Sequence, residues 1–316
     1  MQKVKRYRIL ITGVAGFIGS KLATELLNLG HEVTGLDILK YDNSSINHLY
    51  AKKNFYFYKA DVTNKILMRK FLKKKDFIIP LAGLVGAPLC ENNKKEAIAV
   101  NLNAIKIIVN SISKNQKIIY PTSNSGYGIG KKNAFCTEKT PLNPISLYGR
   151  TKADAEKVVM KHKNSVSFRL ATVFGYSYRM RSDLLVNNFV KTAIDNNKLE
   201  IFEPHFRRNY IHINDIVNAF VFTINNFYKL KSNIYNLGLS SANITKLELA
   251  KKIKRFYKGL KIKIILGIKD PDQRDYFVSN KKIEKKGFKA KVTLDHGIQE
   301  LLKVFTNSDV KIKNNY

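Results

Sequence analysis

The first 123 residues alternate between short apolar segments and segments of helical length. The short segments are YRILIT (7–12), EVTGLD (32–37), FYFYKAD (55–61), DFIIPLAG (76–83) and KIIYPTS (117–123). Between them we predict a helix that ends at Gly30 and helices over about 63–74 and 93–113. Strands joined through helices lie parallel in one sheet, and a strand as apolar as FIIPLA is buried on both faces. The chain is therefore predicted to be an α/β protein with a doubly wound parallel sheet.

The alternation weakens after a further predicted helix (about 148–162) and the strand VSFRLAT (166–172). Loops, helices and short strands then continue to a Lys- and Asn-rich end. We expect a first domain over residues 1–170 and a smaller C-terminal lobe over 171–316 that closes over the carboxyl edge of the sheet. Some segments of this lobe are expected to return to the first domain.

The chain carries a large positive charge. Lys and Arg together number 56 against 24 acidic residues, which gives a net charge of +32. A charge of this size makes a polyanionic partner a serious alternative. However, the lysines are spread along the chain instead of forming one basic arm, and no nucleic-acid-binding motif accompanies them. We therefore interpret the charge as a solvated surface and expect no nucleic-acid partner.

The compartment is predicted from cysteine use and hydropathy. The only cysteines are Cys90 and Cys136, which are too few for a disulfide framework and lack the spacing of a zinc site. The start of the chain has no signal-peptide pattern, and no segment approaches 18 consecutive apolar residues. We expect a cytoplasmic protein with no membrane association and no bound metal.

The segment GVAGFIG places Gly13, Gly16 and Gly19 between the first strand and the first helix. Glycines here allow a tight turn, close approach of the backbone to a pyrophosphate and close packing of helix on strand, while the helix N-terminus stabilises the anion. Asp37 ends the second strand 18 residues after Gly19, where its carboxylate can accept both ribose hydroxyls and would repel a 2′-phosphate. This pattern predicts a Rossmann domain that binds NAD, with Phe17 and Ile18 also against the cofactor.

Two further strand ends point to the same crevice, because ligands of open parallel sheets bind outside the carboxyl ends of the strands. One is formed by Asp61 and Val62, and Asp61 could hold the adenine amino group. The other is formed by Leu81, Ala82 and Gly83, whose small residues leave room for the nicotinamide. The alternative is that both are turns without ligand contacts.

A Tyr followed four residues later by a Lys on one helix face can transfer a proton, because the ammonium lowers the pKa of the phenol. Tyr148 and Lys152 lie on the predicted helix LYGRTKADAEKVV, 25 residues after Ser123 at the end of a neighbouring strand. A hydroxyl there can share a substrate oxygen with the Tyr. The spacing recurs where the helix is interrupted by glycine, at Tyr127/Lys131 and Tyr257/Lys261.

In this order, the glycine motif, Asp37, Ser123 and the Tyr148/Lys152 pair resemble the extended short-chain dehydrogenase/reductases, the NAD-dependent epimerase/dehydratase family of nucleotide-sugar enzymes. The resemblance implies that Tyr148 is the general base, Ser123 its hydroxyl partner and Lys152 the cation that binds the ribose. It implies oxidation of a sugar hydroxyl to a 4-ketone, with NAD as the hydride acceptor. It also implies a homodimer, through the helices over about 93–113 and 148–162.

The same resemblance assigns substrate contacts to arginines of the second lobe. Arg208 in FRRNYIH matches the residue that meets the substrate diphosphate, and Arg274 in DPDQRDY is a candidate second clamp. Arg179 and Arg181 in YSYRMRSD could face the sugar or the phosphates. Guanidinium groups suit paired phosphate oxygens better than ammonium groups do. Each arginine could instead form a structural salt bridge, and His212 is expected to pack structurally.

The residues after Ser123 bear on the reaction. Family members that eliminate water carry Asp-Glu where this chain has Asn124 and Ser125, and neither can replace a carboxyl group. We therefore disfavour dehydration and expect Asn124, Ser125 and Asn187 to contact the substrate instead. Cys90 could approach the site but is more simply explained as a buried thiol.

Several longer segments resemble the branch of the family that oxidises GDP-linked heptose in surface-polysaccharide synthesis. They are NSGYGIG, FRLATVFG, RMR followed by DLLVN, HFRRNYIH, GLSSAN and RDYFVSN. A 4-epimerase remains an alternative, because the same Ser, Tyr and Lys serve both reactions. A nucleic-acid-binding regulator of the same fold is a third alternative, although it would not need Tyr148, Lys152 and Ser123 together.

Overall fold

The computed structural model describes residues 5–41, 44–131, 134–267 and 273–307. The strands are β1 Arg8–Thr12, β2 Glu32–Asp37, β3 Phe55–Lys59, β4 Phe77–Pro80, β5 Lys117–Ser123, β6 Phe135–Cys136, β7 Ser165–Leu170, β8 Thr172–Phe174, β9 Lys198–Phe202, β10 Arg207–His212, β11 Asn233–Leu237, β12 Asn243–Thr245, β13 Lys261–Ile265 and β14 Phe277–Val278. The helices are α1 Phe17–Asn28, α2 Lys65–Leu72, α3 Ala87–Asn92, α4 Lys94–Ile98, α5 Ala104–Ser111, α6 Leu147–Val159, α7 Leu185–Asn196, α8 Ile213–Asn225, α9 Phe227–Leu230, α10 Lys246–Phe256, α11 Lys281–Glu284 and α12 Leu294–Thr306.

Seven parallel strands form the central sheet in the order β11-β7-β5-β4-β1-β2-β3. Strands β2 and β3 lie on one side of β1. The later strands of this sheet, from β4 onward, lie on its other side. The predicted Rossmann fold with a parallel, doubly wound sheet is confirmed. Since the winding direction reverses between β1 and β4, a crevice opens beyond the carboxyl ends of these strands.

The apolar runs of the sequence form strands because both faces of the sheet are covered. On β1, Ile9 and Ile11 pack into one core cluster with Leu22 and other residues of α1. Leu10, between them, packs into a second cluster on the opposite face with Met68 of α2. Successive side chains of a strand point to opposite faces, so an uninterrupted apolar strand supplies both layers.

The second half of the chain builds smaller sheets and also completes the large one. Strands β12, β10 and β8 form one sheet, while β13 pairs with β9 and β14 pairs with β6. Strand β11 instead lies parallel to β7 and forms one edge of the seven-stranded sheet. The large sheet therefore contains residues from both parts of the chain.

Two helices differ from their predicted bounds for different local reasons. The helix predicted over 63–74 starts later, because the Asn64 side chain accepts hydrogen bonds from the amides of Ile66 and Leu67. The predicted long helix over 93–113 is divided by a π-helical segment, Ala99–Asn103, between α4 and α5. Within the described ranges, no helix is long and apolar enough to cross a membrane.

Candidate active site

A cavity of about 530 Å³ occupies the crevice at the carboxyl ends of the central strands. Both parts of the chain contribute to its wall. The predicted site residues that line it are Gly13, Gly16, Phe17, Ile18, Gly19, Asp37, Asp61, Val62, Leu81, Ala82, Gly83, Ser123, Tyr148, Lys152, Arg179, Arg181, Arg208 and Arg274. The structure thus brings together the predicted cofactor-binding and catalytic residues.

The glycine segment has a geometry that side chains would obstruct. Gly13 has a φ of +72°, and a Cβ there would lie 2.6 Å from the amide nitrogen of Ala82. A Cβ on Gly19 would lie 2.2 Å from the carbonyl oxygen of Gly13. Helix α1 follows with Gly16 at its N-cap and no side chain capping it. The backbone amides of its first turn can therefore serve an anionic ligand, and the residues present fit a bound dinucleotide.

Asp37 links the glycine segment to the end of β2. Its carboxylate accepts hydrogen bonds from the amides of Ala15 (3.0 Å) and Leu39 (2.9 Å). Burial raises the pKa of Asp37, and these amides and the guanidinium of Arg179 oppose the rise. A carboxylate has about four acceptor positions, so these backbone amides leave capacity for a ribose hydroxyl.

The hydroxyl of Ser123 and the phenol of Tyr148 meet at the cavity wall. Helix α6 begins there because Ser146 caps it, accepting from the amide of Gly149 at 3.1 Å. Ser123 is near enough to Tyr148 to oppose the rise in the pKa of its phenol. The hydroxyl of Ser125 donates to Ser123 Oγ at 2.8 Å. Because Ser123 Oγ accepts this hydrogen bond, its own proton is available to Tyr148.

Lys152 lies one helical turn after Tyr148 and is buried. Its ammonium donates to the carbonyl oxygen of Pro121 (3.1 Å) and to the hydroxyl of Tyr120 (3.3 Å). Burial lowers the pKa of Lys152 to about 8. The lysine is therefore anchored to strand β5, which also carries Ser123.

Arginines of the second lobe affect the pKa of the Tyr148 phenol. Burial raises the pKa of Tyr148, and Arg274, Ser123 and Arg181 oppose that rise. We predicted this effect for Lys152. Arg274 and Arg181 are cations that oppose the rise. The effect of Lys152 on Tyr148 stays a prediction.

Three residues predicted to contact the substrate do not line the cavity. Ser125 orients Ser123 instead. Asn124 is 1% exposed, and neither polar atom of its side chain has a hydrogen-bond partner in the described part of the chain. The Asn187 amide bonds to the backbone of Gly175 and to the carbonyl oxygen of Arg181 (2.8 Å), while the next residue, Asn188, lines the cavity.

The arginines differ in their surroundings. Arg181 forms an ion pair with Asp183. Arg208 on β10 is almost fully buried, and its guanidinium lies 5.8 Å from the ring of Tyr276. Of the segment predicted to hold Arg274, residues 270–272 lie outside the described residues, but Arg274 itself lines the cavity.

His212 and Cys90 have structural surroundings. His212 Nε2 lies 2.8 Å from a Glu300 carboxylate oxygen, and its Nδ1 accepts from the amide of Asn214 as the cap of α8. Cys90 is fully buried, and burial raises its pKa to about 11. Among the residues that the model describes, no cluster of metal-ligating side chains occurs.

Some lining residues were missed by the sequence analysis. Thr172 follows the carboxyl end of β7, so the rule used for the other strand ends would have found it. Lys40, Tyr41 and Lys246 also line the cavity. They lie in loops or at the start of a helix, and no local pattern marks them.

The fold and this site define a dinucleotide-binding α/β protein with a Ser, Tyr and Lys set beside the cofactor crevice. Residues 9–238 match the model of the NAD dependent epimerase/dehydratase family. The chain therefore belongs to that family.

Relatives with different reactions match this chain to a similar degree. It is 31% identical to a dTDP-D-glucose 4,6-dehydratase of Dictyostelium discoideum, over 78% of this chain and 61% of the relative. It is 29% identical to a UDP-glucose 4-epimerase of Lactobacillus helveticus, over 84% and 87% of the two chains. The crystal structure of dTDP-glucose 4,6-dehydratase from Bacillus anthracis with NAD superimposes with a TM-score of 0.83 at 21% identity, covering 96% of this chain and 97% of that one.

Proposed function

We propose that this chain uses NAD to oxidise the C4 hydroxyl of a nucleotide-activated sugar to a 4-ketone. The observation that carries the proposal is that Ser123, Tyr148 and Lys152 line the same cavity as the glycine segment. When bound, NAD accepts a hydride. The glycine segment, the N-terminus of α1 and Asp37 would hold its adenosine diphosphate part, with Lys152 near the second ribose.

The chain's own residues supply the proton acceptor. Tyr148 Oη takes the proton of the sugar hydroxyl and must therefore be a phenolate beforehand. Ser123 stabilises the phenolate by donating a hydrogen bond, and Arg274 and Arg181 stabilise it through their charge. These three groups act against burial, which favours the neutral phenol. Ketone formation requires removal of the sugar hydroxyl proton, and Tyr148 accepts that proton.

The second lobe supplies cations for a diphosphate. Arg208 and Arg274 line the cavity, and the guanidinium of Arg208 lies 5.8 Å from the centre of the Tyr276 ring, which also lines it. Guanidinium groups bind paired phosphate oxygens in a fixed geometry. This arrangement supports a nucleoside diphosphate sugar as the substrate.

We propose GDP-D-glycero-α-D-manno-heptose as that sugar, on the resemblance of segments in both lobes to GDP-D-glycero-α-D-manno-heptose 4-dehydrogenase. Asn124 and Ser125 offer no carboxyl group for an elimination, which supports a reaction that stops at the ketone. The second candidate is a 4-epimerase, supported by the likeness to UDP-glucose 4-epimerase. It would return the hydride to the opposite face of the ketone.

The test is incubation of the purified protein with NAD and the GDP-linked heptose, followed by NMR of the product and absorbance of NADH. Formation of a 4-ketone together with an equal amount of NADH supports the dehydrogenase. Formation of a C4 epimer without net production of NADH supports the epimerase. UDP- and dTDP-linked sugars are assayed in parallel. If the protein neither binds NAD nor converts any nucleotide sugar, both candidate functions are refuted.

Variants of two tyrosines make the test specific to the site. Tyr148→Phe is expected to lower kcat at least about 100-fold while NAD remains bound. Tyr257→Phe is the matched control, because Tyr257 has the same spacing to a lysine but hydrogen-bonds to Asn197 on the exposed surface. Equal kcat values for the Tyr148 variant and the wild type would remove Tyr148 from the mechanism.

A further inference from the structure

The guanidinium of Arg179 is buried without a hydrogen-bond partner. The residue is 6% exposed, and its Nε and both terminal nitrogens find no acceptor among the side chains and backbone of the described ranges. Its guanidinium lies 4.5 Å from the centre of the Tyr41 ring and faces the cavity. A buried cation without an acceptor is strongly unfavourable, so this position calls for an anion.

Tyr41, Asp183 and Asp37 oppose the lowering of the Arg179 pKa through their charge, but none accepts a hydrogen bond from its guanidinium. Asp183 is engaged in an ion pair with Arg181, two residues after Arg179. Asp37 accepts hydrogen bonds from backbone amides. Burial lowers the pKa of Arg179, and the Arg181 charge lowers it further. A diphosphate placed beside Arg179 would offset both effects.

The position of Arg179 is fixed by contacts to helix α1. The Ser177 hydroxyl donates to the carbonyl oxygen of Phe17 and lies 3.4 Å from the hydroxyl of Ser20. The Lys21 ammonium donates to the carbonyl oxygen of Tyr176 at 2.7 Å. The segment that carries Arg179 is therefore attached to the first turns of α1, although it is far from α1 in sequence.

Helix α1 presents a second, independent anion-binding feature at the same place. It is 12 residues long, and no side chain caps the amides of its first turn. Such an N-terminus attracts phosphate groups. Arg208, in contrast, lies beside Tyr276, and Arg274 and Arg181 act on Tyr148 at the chemical end of the cavity.

We propose that Arg179 binds the diphosphate of the dinucleotide cofactor, opposite the N-terminus of α1. An arginine from the second part of the chain then closes over the cofactor, while the substrate diphosphate is left to Arg208 and Arg274. This inference rests on the proposed NAD dependence. It separates Arg179 from the substrate contacts for which the sequence alone made it a candidate.

The test compares the wild type with Arg179→Met by calorimetric titration of NAD, ADP-ribose, adenosine and GDP. The variant should bind NAD and ADP-ribose about 10- to 100-fold more weakly, because one charge-assisted interaction is lost. Binding of adenosine and GDP should stay within about twofold. Arg179→Lys should recover part of the loss, since an ammonium keeps the charge but not the planar fork.

A stability measurement without ligand distinguishes binding from a structural role. Arg179→Met should unfold at the same temperature as the wild type or higher, because it removes a buried charge without an acceptor. Arg181→Met, the contrasting variant, should unfold at a lower temperature, because it leaves Asp183 unpaired.

Three results would overturn the inference. They are unchanged NAD affinity in Arg179→Met, a loss confined to GDP, and destabilisation of the ligand-free variant. The second would assign Arg179 to the substrate. Failure of the wild type to bind NAD would overturn the proposed function as well. The three results above leave the proposed function intact, so the two kinds of failure can be distinguished.

Discussion

Arg169 on strand β7 forms a buried bidentate ion pair with Glu156 on helix α6, the helix that carries Tyr148. The shortest contact, between Arg169 Nη2 and Glu156 Oε1, is 2.7 Å, and the two side chains are 6% and 3% exposed. Arg169 Nη1 also donates to the hydroxyl of Tyr127 at 3.0 Å. Tyr127 lies in the turn that follows Ser123. One guanidinium therefore contacts both the helix of Tyr148 and the turn of Ser123.

Removing either member of this ion pair should destabilise the fold. Arg169→Met and Glu156→Met are each expected to lower the free energy of unfolding by about 3–5 kcal/mol, because each leaves a buried charge unpaired. The double variant should lose less than the sum. Denaturant unfolding measures all three.

The matched control is Asp154→Asn, which breaks the exposed pair with Lys157 on the same helix and should change stability by less than about 1 kcal/mol. Additive losses would refute the coupling.

Gly19→Ala should weaken NAD binding and lower stability by about 1–3 kcal/mol. Its Cβ would lie 2.2 Å from the carbonyl oxygen of Gly13, so the glycine segment would have to move away from α1. Gly259→Ala is the control, because the nearest atom to a Cβ there is 3.9 Å away. Thermal unfolding and NAD titration test both variants. Wild-type NAD affinity in Gly19→Ala would show that close packing at this position is dispensable for the cofactor.

The buried ammonium of Lys152 predicts a specific dependence of stability on pH. Burial lowers its pKa from 10.5 to about 8, so the unfolded chain binds more protons at this residue between those two values. The contribution of Lys152 to the free energy of unfolding therefore increases with pH over that window. Below about pH 8, the full cost of burying the charged ammonium is present. The difference in unfolding free energy between Lys152→Met and the wild type, both ligand-free, should shift in favour of the wild type as pH rises.

The control for this pH dependence is Lys157→Met, on the exposed face of the same helix. Denaturant unfolding at several pH values between about 7 and 10.5 gives the required differences. A constant difference between Lys152→Met and the wild type would contradict the lowered pKa.

Cys90 should be inert in the folded protein. It is fully buried, and its pKa of about 11 leaves little thiolate at pH 8. Iodoacetamide at that pH should label it only after unfolding, and Cys90→Ala should retain turnover. Mass spectrometry of the labelled protein measures the reaction. Rapid labelling of the native thiol with loss of activity would return Cys90 to the list of candidate catalytic groups.

The parts of the site that could be predicted from sequence depend on local patterns. Gly13, Gly16 and Gly19 needed only their spacing and the strand before them, and Asp37 needed only the end of the next strand. Ser123 was found because it too ends a strand of the sheet. In each case a single βα connection fixes where the residue lies, so short-range sequence information is sufficient.

Other features depend on contacts between distant segments. Asn187 and Asn188 are adjacent on α7, and only packing decides that Asn187 bonds to Gly175 while Asn188 faces the cavity. The π-helical segment contains Asn101, whose amide accepts from the Leu84 amide and donates to the Leu84 carbonyl. Neither arrangement has a local sequence signature. The partners of the four arginines were likewise outside the reach of sequence patterns.

The return of the chain to the large sheet affects how it could be divided. A cut after residue 170 would leave β7 with β5 on one side and no partner on the other, because β11 would be removed. All six residues of β7 are buried. A normally buried strand that becomes an edge with unpaired amides and carbonyls recruits other strands and favours aggregation. We therefore expect that residues 1–170 alone would fold poorly, and that a dissection or domain exchange would have to carry β11 with it.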